Sequence, residues 1–414
     1  MWSLLAAALF GYVSAQSSGN PYTGKTVYIQ QAYVDEVQIS IDAHPSQATL
    51  LKKYQNVPVF YWIDSMARIA NLTTVLDGAV AQASKSGDKM VVQIIIYDVP
   101  DRDCSAAASN GEISCEDATC AQGIQTYQTK YIDPIVNILK QSKYSALTIV
   151  ALIEPDSLPN LATNLNVAKC QQAQTAYMTA IPYAIKELAA LPNVVQYVDA
   201  AHGGWLGWPD NMQKFTQIIK TVLTTAGGVD TIRGFASNTA NYQPLGSINS
   251  QSDPCKLKEN YNDCVNEAIY INFMNTQMET QGITGKGYIT DTARNGVPDC
   301  RKAESESCGD PCCEWCNIAN AGFGNMPSTE TSSTGLSIID AFVWAKVPGE
   351  SDGTSNTSAS NYDFHCGSDE SVPNAPQAGM WFDSFFVMLA TNAPSDTHNT
   401  HISNLTHRLN VFEE

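Results

Sequence analysis

The sequence has few charged residues and no cluster of basic ones. Only 15% of its 414 residues are Asp, Glu, Lys or Arg, whereas 44% are hydrophobic, which is typical of compact folded proteins and not of disordered ones. The 23 Lys and Arg residues are outnumbered by 41 Asp and Glu residues. Because nucleic acids and anionic membranes bind clustered Lys and Arg, we expect neither as a partner.

Long apolar segments are also missing after the first residues. The chain starts with MWSLLAAALFGYVSAQ, in which residues 4–13 are apolar, too short to span a bilayer, and followed by small residues. We predict a signal peptide over residues 1–15, although it lacks the usual Lys or Arg near its start. No later stretch reaches membrane-spanning length, so the sequence predicts a secreted, extracellular protein.

Cysteine content and glycosylation signals agree with that location. The chain has 12 cysteines, an even number, as expected in an oxidising compartment. Three glycosylation sequons begin at Asn71, Asn356 and Asn404.

The sequence shows no internal repeat and no linker, so we predict one domain over residues 16–394 and a flexible tail over 395–414. Three histidines in the tail allow a metal site, but we favour a solvated tail.

Apolar, β-branched segments alternate with helical patterns through most of the chain. The predicted strands are 27–32, 57–63, 90–98, 147–153, 194–199, 232–237, 269–273, 287–290 and 338–344. The predicted helices include 72–84, 131–141, 173–188 and 212–225. Such alternation predicts an α/β fold with a mainly parallel sheet, and roughly eight repeats favour a barrel over an open sheet.

Carboxylates cluster where two of these apolar segments end. The motif YDVPDRDC places Asp98, Asp101 and Asp103 after one segment, and IEPDSL places Glu154 and Asp156 after another. Barrel and open α/β enzymes carry their chemistry at the carboxyl ends of parallel strands. Two such clusters suit acid–base hydrolysis, in which burial and neighbouring negative charge keep one carboxyl protonated.

A purely structural interpretation of the first cluster is also open. Its first two aspartates would cap a turn, and Asp103 would pair with Arg102. That interpretation does not explain a third acidic strand end, VDAAHGGWLGW, where Asp199 precedes aromatic rings spaced by glycines. Rings on exposed loops suit the C–H faces of sugars, although core packing is the alternative for any single Trp. A fourth group, WAKVPGESDG, opens the stretch 346–379, which is long enough for a functional lid.

Six separated motifs, in order, resemble glycoside hydrolase family 6, which holds cellobiohydrolases and endoglucanases that cut β-1,4-glucan with inversion. The motifs are YDVPDRDCSAAASNGE, IEPDSL, DAAHGGWLGWP, RGFASNTANY, EWCN and FVWAKVPGESDGTS, spread over about residues 27–392. The resemblance implies a distorted β/α (TIM-like) barrel of parallel strands, with a cleft or tunnel at their carboxyl ends. It implies a monomer that binds cellulose and cello-oligosaccharides and needs no cofactor or metal.

The resemblance also implies roles for individual residues. Asp156 would be the general acid, and Asp103 beside it would keep its pKa raised and help to stabilise positive charge at the sugar. Tyr97 would press the reacting ring toward a distorted conformation. Ser109 would hold the attacking water, whose proton Asp103 would relay. Asp352 matches a residue often proposed as the base, an assignment disputed within the family. Inversion needs carboxyls roughly 6.5–9.5 Å apart, with water between them.

Further motif residues would contact the sugar chain or support the site. The aromatic platforms would be Trp62, Trp205, Trp208 and Trp315. The polar residues of the substrate-binding set would be Asp64, His202, Asn241, Lys346 and Glu350. Asp199 would support the site from behind.

The cysteines divide into those that match the family and those that do not. Two bridges of the family would each stiffen a loop over the cleft; the matching pairs are Cys104–Cys170 and Cys316–Cys366. Two short local pairs are expected besides, Cys115–Cys120 and Cys255–Cys264. An acidic insertion that the family does not generally show holds the other four, Cys300, Cys308, Cys312 and Cys313. A zinc site is one interpretation of this insertion; two further disulfides are the other, which we favour in a secreted chain.

Two loops decide which activity within the family we expect. Exo-acting members keep both loops, which roof the cleft into a tunnel, whereas loss of either loop opens the cleft for internal cutting. Here both look full length, at about 105–119 and about 346–376. We therefore expect a cellobiohydrolase that releases cellobiose from chain ends. An endo-acting β-1,4-glucanase and a non-catalytic glucan-binding protein are the alternatives.

Overall fold

The computed structural model describes residues 19–305 and 308–395. The predicted signal peptide, almost all of the predicted tail and the sequon at Asn404 lie outside these residues. Within the described residues, eight parallel strands form one sheet. They are β1 (Thr26–Val27), β2 (Tyr61–Ile63), β3 (Met90–Ile96), β4 (Thr148–Ile153), β5 (Val194–Asp199), β6 (Gly234–Ser237), β7 (Gly287–Asp291) and β8 (Ile339–Val343). Both β1 and β2 pair with β3, and β4 to β8 follow in chain order.

Helices surround this sheet. The α-helices of the described residues are α1 (Gln31–Ala43), α2 (Ala48–Leu51), α3 (Met66–Ser86), α4 (Ala121–Thr126), α5 (Asp133–Leu139), α6 (Ser157–Thr163), α7 (Ala168–Ala189), α8 (Gly203–Leu206), α9 (Pro209–Ala226), α10 (Glu267–Thr280) and α11 (Asp383–Asn392). A π-helical turn, Tyr127–Ile132, joins α4 to α5. Of the helices in the described part of the chain, none has the length and apolar character needed to cross a membrane.

The side chains of β3 alternate between two hydrophobic clusters. Val92 and Ile94 pack outward against the helices, whereas Val91, Ile95 and Tyr97 belong to a cluster inside the curled sheet. Successive side chains of a strand point to opposite faces, so Tyr97 continues the inner row just beyond the strand end. Burial on both faces explains why the sequence of β3 is a continuous apolar run.

The two ends of the sheet approach each other. The backbone N–H of Phe60, just before β2, donates a hydrogen bond to the carbonyl of Trp344, just after β8, at 3.3 Å. The sheet is thus curled into a distorted barrel, and the prediction of an α/β fold with a barrel-like parallel sheet is confirmed.

One predicted strand is wrong. Residues 269–273 lie in α10, which begins after Asn266, whose side-chain oxygen accepts a hydrogen bond from Ile269 N at 2.9 Å. Tyr270, Ile271 and Met274 are buried at the spacing of a helical face. A window of five residues is too short to reveal that period. The first two strands are also shorter than predicted, because α1 already starts at Gln31 and only Tyr61–Ile63 of the second segment pairs.

Candidate active site

Strained backbone positions mark the carboxyl ends of the strands. Several non-glycine residues there have φ between 45° and 65°, namely Asp101, Asp103, Glu154, Asp156, Ala201, Asn238 and Ala240. Left-handed conformations are uncommon for such residues and cluster at functional sites. The chain therefore turns sharply after β3, β4, β5 and β6, at the edge of the sheet where the carboxylates gather.

A cleft of about 1190 Å³ lies at this edge of the sheet. All the predicted catalytic and substrate-binding residues line it except Asp199, which is buried. The Asp199 carboxylate accepts hydrogen bonds from the backbone N–H groups of Asp156, at 3.1 Å, and Ala201, at 3.2 Å. Asp199 thus holds the turn that carries Asp156, and burial raises its own pKa to about 6.

Asp156 lies at the start of α6, with its side chain partly open to the cleft. Burial raises its pKa well above the usual range, and the negative charges of Asp103 and Asp199 add to this effect. Such surroundings favour the protonated form of a carboxyl group. Asp156 therefore has the electrostatic setting of a general acid.

Three polar groups converge beside Asp156. The Ser109 hydroxyl donates a hydrogen bond to Asp103 Oδ2, and the Tyr97 hydroxyl lies 3.5 Å from the same oxygen. Burial raises the pKa of Asp103, and the bond from Ser109 opposes that rise. This arrangement can orient a water molecule and receive a proton from it.

Arg102 is a site residue that the sequence analysis did not assign to the cleft. Its guanidinium lies 4.2 Å from the centre of the Tyr97 ring and donates to the Tyr97 carbonyl, to the Asp64 carbonyl at 2.7 Å and to the Ser109 carbonyl at 2.9 Å. Arg102 therefore joins the ends of β2 and β3 to the first roof loop. Its carboxylate partner is Asp98, at 3.7 Å, and not Asp103 as in the purely structural interpretation of this cluster.

Two of the clustered carboxylates lie behind the cleft. Glu154 accepts hydrogen bonds from Tyr127 OH at 2.7 Å and from the N–H groups of Asp98 and Val99 at 3.2 Å each. Burial raises the pKa of Glu154 to about 7 and that of Asp98 to about 8. Asp101 accepts from Cys115 N at 3.1 Å, 14 positions along the chain, so it holds the first roof loop rather than capping the next turn.

Asp352 is held by several donors at once. Arg294 Nη1 lies 2.8 and 2.7 Å from its two oxygens, and Tyr242 OH and Asn317 N donate at 3.0 and 2.9 Å. Although burial opposes the change, Arg294 and Lys346 lower the pKa of Asp352. The sequence analysis missed Arg294, which lies in the segment after β7, outside the motifs that carry the resemblance.

A second missed arginine, Arg301, lines the cleft and contacts the same 240–243 segment as Arg294. Arg301 is buried and donates to Asn241 Oδ1 at 3.2 Å and to Gln243 Oε1 at 2.6 Å. Burial lowers the pKa of His202 to about 3, and the charge of Arg301 contributes. The His202 imidazole is thus neutral over the working range of most enzymes, as suits contacts with uncharged hydroxyl groups.

The two predicted roof loops touch each other over the cleft. Ala107 N in the first loop donates to Asp363 Oδ2 in the second at 2.8 Å, and Asn361 Nδ2 donates to the Ala108 carbonyl at 3.4 Å. Ala108 also packs on the disulfide Cys316–Cys366. The two loops are therefore joined to each other at the cleft.

The described residues contain five disulfides, Cys104–Cys170, Cys115–Cys120, Cys255–Cys312, Cys308–Cys313 and Cys316–Cys366. The expected Cys255–Cys264 bridge is wrong, because Cys264 is buried against Gly203 while Cys255 reaches across to the acidic insertion. Cys300 is a buried thiol. The sequon residues Asn71 and Asn356 are exposed.

Comparison with known proteins agrees with this geometry. The sequence pattern of glycosyl hydrolases family 6 matches residues 22–393. A 1,4-β-D-glucan cellobiohydrolase C of Emericella nidulans is 42% identical over 387 residues, 92% of this chain and 80% of that protein. A putative endoglucanase type B of Fusarium oxysporum is 40% identical over 380 residues, 91% and 77% of the two chains.

Solved structures give the same result. Cellobiohydrolase II (Cel6A) of Humicola insolens, in complex with glucose and cellotetraose, superposes with a TM-score of 0.80 at 35% identity. The match covers 91% of this chain and 99% of that one. Pattern, relatives and structure agree, and the chain belongs to glycosyl hydrolases family 6.

Proposed function

We propose that this protein is an extracellular, inverting cellobiohydrolase that releases cellobiose from the ends of cellulose chains. The observation that carries the proposal is the closed roof: two loops are hydrogen-bonded to each other above a cleft that contains Asp156, a carboxyl group whose pKa is raised by burial. Relatives near 40% identity that are named cellobiohydrolases support the exo-acting activity. The disulfides and exposed sequons support an extracellular location.

In the proposed reaction Asp156 gives its proton to the glycosidic oxygen as the bond from that oxygen to the anomeric carbon breaks. Water attacks the anomeric carbon from the opposite face, which inverts its configuration. The Ser109 hydroxyl holds this water, and Asp103 receives the proton that the water loses. Arg102 supports Tyr97, whose ring faces the sugar that must distort.

We infer that Asp352 does not act as the base. Its carboxylate is already engaged by Arg294, and its lowered pKa makes it a weak proton acceptor. Its negative charge instead pairs with the buried Arg294 and orients Lys346 at the cleft wall. In the proposed reaction Asp103 therefore accepts the proton of the attacking water, which Ser109 holds.

The substrate is an uncharged glucan. Four indole rings line the cleft and offer flat faces for sugar rings, and a neutral His202 with Asn241 offers hydrogen bonds to hydroxyl groups. Trp62 is fixed by its indole N–H, which donates to the Ala345 carbonyl at 2.8 Å, and it meets the Tyr97 ring edge-on at 5.3 Å. A ring fixed in this way suits binding of the sugar beside the reacting one.

The test follows products from phosphoric-acid-swollen cellulose while the mean chain length is measured. We expect mostly cellobiose with little chain shortening, because a roofed cleft admits chain ends. A matched variant, Asn361→Ala with Asp363→Ala, removes the two bonds between the loops and should raise the share of internal cuts. Rapid shortening by the wild type would favour an endoglucanase, and the absence of products would favour a glucan-binding protein.

A further inference from the structure

Tyr261 is an exposed aromatic residue at the mouth of the cleft. Its side chain is 88% exposed, and it lines the same cleft as Trp208. Its φ of 61° is left-handed, which is uncommon for a residue of this size and is maintained only when its surroundings impose it. An aromatic ring displayed in this way has no role in packing the fold.

The neighbours of Tyr261 fix it beside the tryptophan loop. The preceding carbonyl, of Asn260, accepts a hydrogen bond from Trp208 Nε1 at 2.6 Å. The following residue, Asn262, is fully buried and donates through Nδ2 to the Gly203 carbonyl at 2.8 Å. Both bonds attach the Tyr261 backbone to the loop that carries Trp208, so the two rings share one rigid support.

The segment around Tyr261 also has its own small core. Asp253 accepts hydrogen bonds from Leu257 N at 2.8 Å and Lys258 N at 2.9 Å, which caps a short 3-10 helix, Leu257–Asn260. Leu257 packs on the disulfide Cys255–Cys312, which anchors the segment to the acidic insertion. The disulfide, the hydrogen bonds to Asp253 and the buried Leu257 thus fix the position of the Tyr261 ring, although this ring does not pack against the rest of the protein.

The geometry points to Tyr261 as an additional glucosyl-binding platform, which extends the row of rings from Trp208 beyond the cleft mouth. The chemical class of the ligand is a β-1,4-linked glucan, whose sugar rings offer C–H faces to the phenol ring. The inference rests on the proposed function for the choice of ligand. Long chains would gain affinity from this platform, whereas short oligosaccharides held near Asp156 would not reach it.

The test measures binding of cellotriose, cellotetraose, cellopentaose and cellohexaose by calorimetry. All variants carry Asp156→Asn, so that the oligosaccharides stay intact. Tyr261→Ala is expected to weaken binding of the longest oligosaccharides about fivefold to tenfold and that of the shortest by less than twofold. Tyr261→Phe keeps the ring and should bind as the parent does. Ile39→Ala, at an exposed residue of α1 outside the cleft, is the control for loss of exposed apolar surface.

Tyr261→Asn removes the ring but tolerates the left-handed backbone, so it separates loss of the platform from a change in the loop. If Tyr261→Ala and Tyr261→Asn bind every oligosaccharide as the parent does, the inference is wrong. Equal weakening for all lengths would also overturn it, because the residue would then act on the whole cleft. Failure of the proposed function has a separate readout, which is the absence of cellobiose release by the wild type.

Discussion

Glu154 and Asp156 stand two positions apart on one turn after β4, yet they lie in different surroundings. Burial raises the pKa of both. Glu154 accepts three hydrogen bonds and lies behind the cleft, whereas Asp156 lines the cleft beside the negative charges of Asp103 and Asp199. A raised pKa therefore does not by itself identify a catalytic carboxyl. Access to the substrate and the sign of the neighbouring charges distinguish the two.

The turn after β3 repeats this division. Asp98 is fully buried behind the cleft, 3.7 Å from Arg102, and Asp103 lies in the cleft with Ser109. The ends of β3 and β4 thus each supply one carboxyl group to the cleft and keep the others behind it. We expect substitutions of the cleft carboxylates to reduce turnover and substitutions of those behind the cleft to reduce stability.

The largest effect is expected from substituting Asp156, the carboxyl group of the β4 turn that lines the cleft. Asp156→Asn should lower kcat on unactivated cello-oligosaccharides by about 10³-fold or more, because the leaving oxygen then lacks its proton donor. Binding of the oligosaccharides should be largely unchanged. Asn also tolerates the left-handed backbone of this position, so folding should be preserved. Initial rates and calorimetric binding measure the two quantities.

The matched variant is Glu154→Gln, which places an NH₂ group against backbone N–H donors behind the cleft. It should cost about 1–3 kcal/mol of unfolding free energy and change kcat by less than about threefold. Denaturant unfolding and the same rate assay test this pair. If Asp156→Asn turned over normally while Glu154→Gln lost activity, the general acid would be misassigned.

A smaller effect is expected from the proposed water-binding residue. Ser109→Ala should lower kcat by about 10- to 100-fold, since the water loses an orienting partner while Asp103 and Asp156 stay in place. Ser105→Ala, in the same loop, removes a hydroxyl that donates to Asn160 Oδ1 at 2.7 Å and should have little effect on kcat. Equal rates for the two variants would contradict the role of Ser109.

Much of this organisation could be predicted from the sequence. The apolar run 90–96 shows a doubly buried strand, and the six motifs indicate which residues share the cleft. The residue pattern alone could not separate Asp98 from Asp103, because both follow the same strand; only the family resemblance assigned Asp103 to the site. Which carboxyl faces the cleft depends on backbone turns with φ near 55° after the strand, and these leave no residue signature when Asp occupies them.

The sequence also could not show which residues far apart in the chain form ion pairs or disulfides. Arg294 is 58 positions from Asp352, and Cys255 is 57 positions from Cys312, so no local pattern connects them. Short spacing favoured Cys255–Cys264, but the segment between these cysteines turns back onto α8 and separates them. Tertiary contacts decided all of these pairings.

The smallest expected effect concerns the pH dependence of stability. Burial raises the pKa of Asp98 to about 8 and of Glu154 to about 7, whereas the unfolded values are about 4. The folded state then binds more protons between about pH 4 and pH 8, so the free energy of unfolding should fall as the pH rises through this window. The lowered pKa of Asp352 acts only below about pH 4, and the lowered pKa of His202 opposes the trend only up to about pH 6.5, where Asp199, with its pKa raised to about 6, offsets it. Thermal unfolding should therefore give a Tm several degrees lower at pH 8 than at pH 5. Glu154→Gln should flatten this curve while leaving the pH profile of kcat unchanged, and a Tm that rises toward pH 8 would contradict the assignment of these carboxyls.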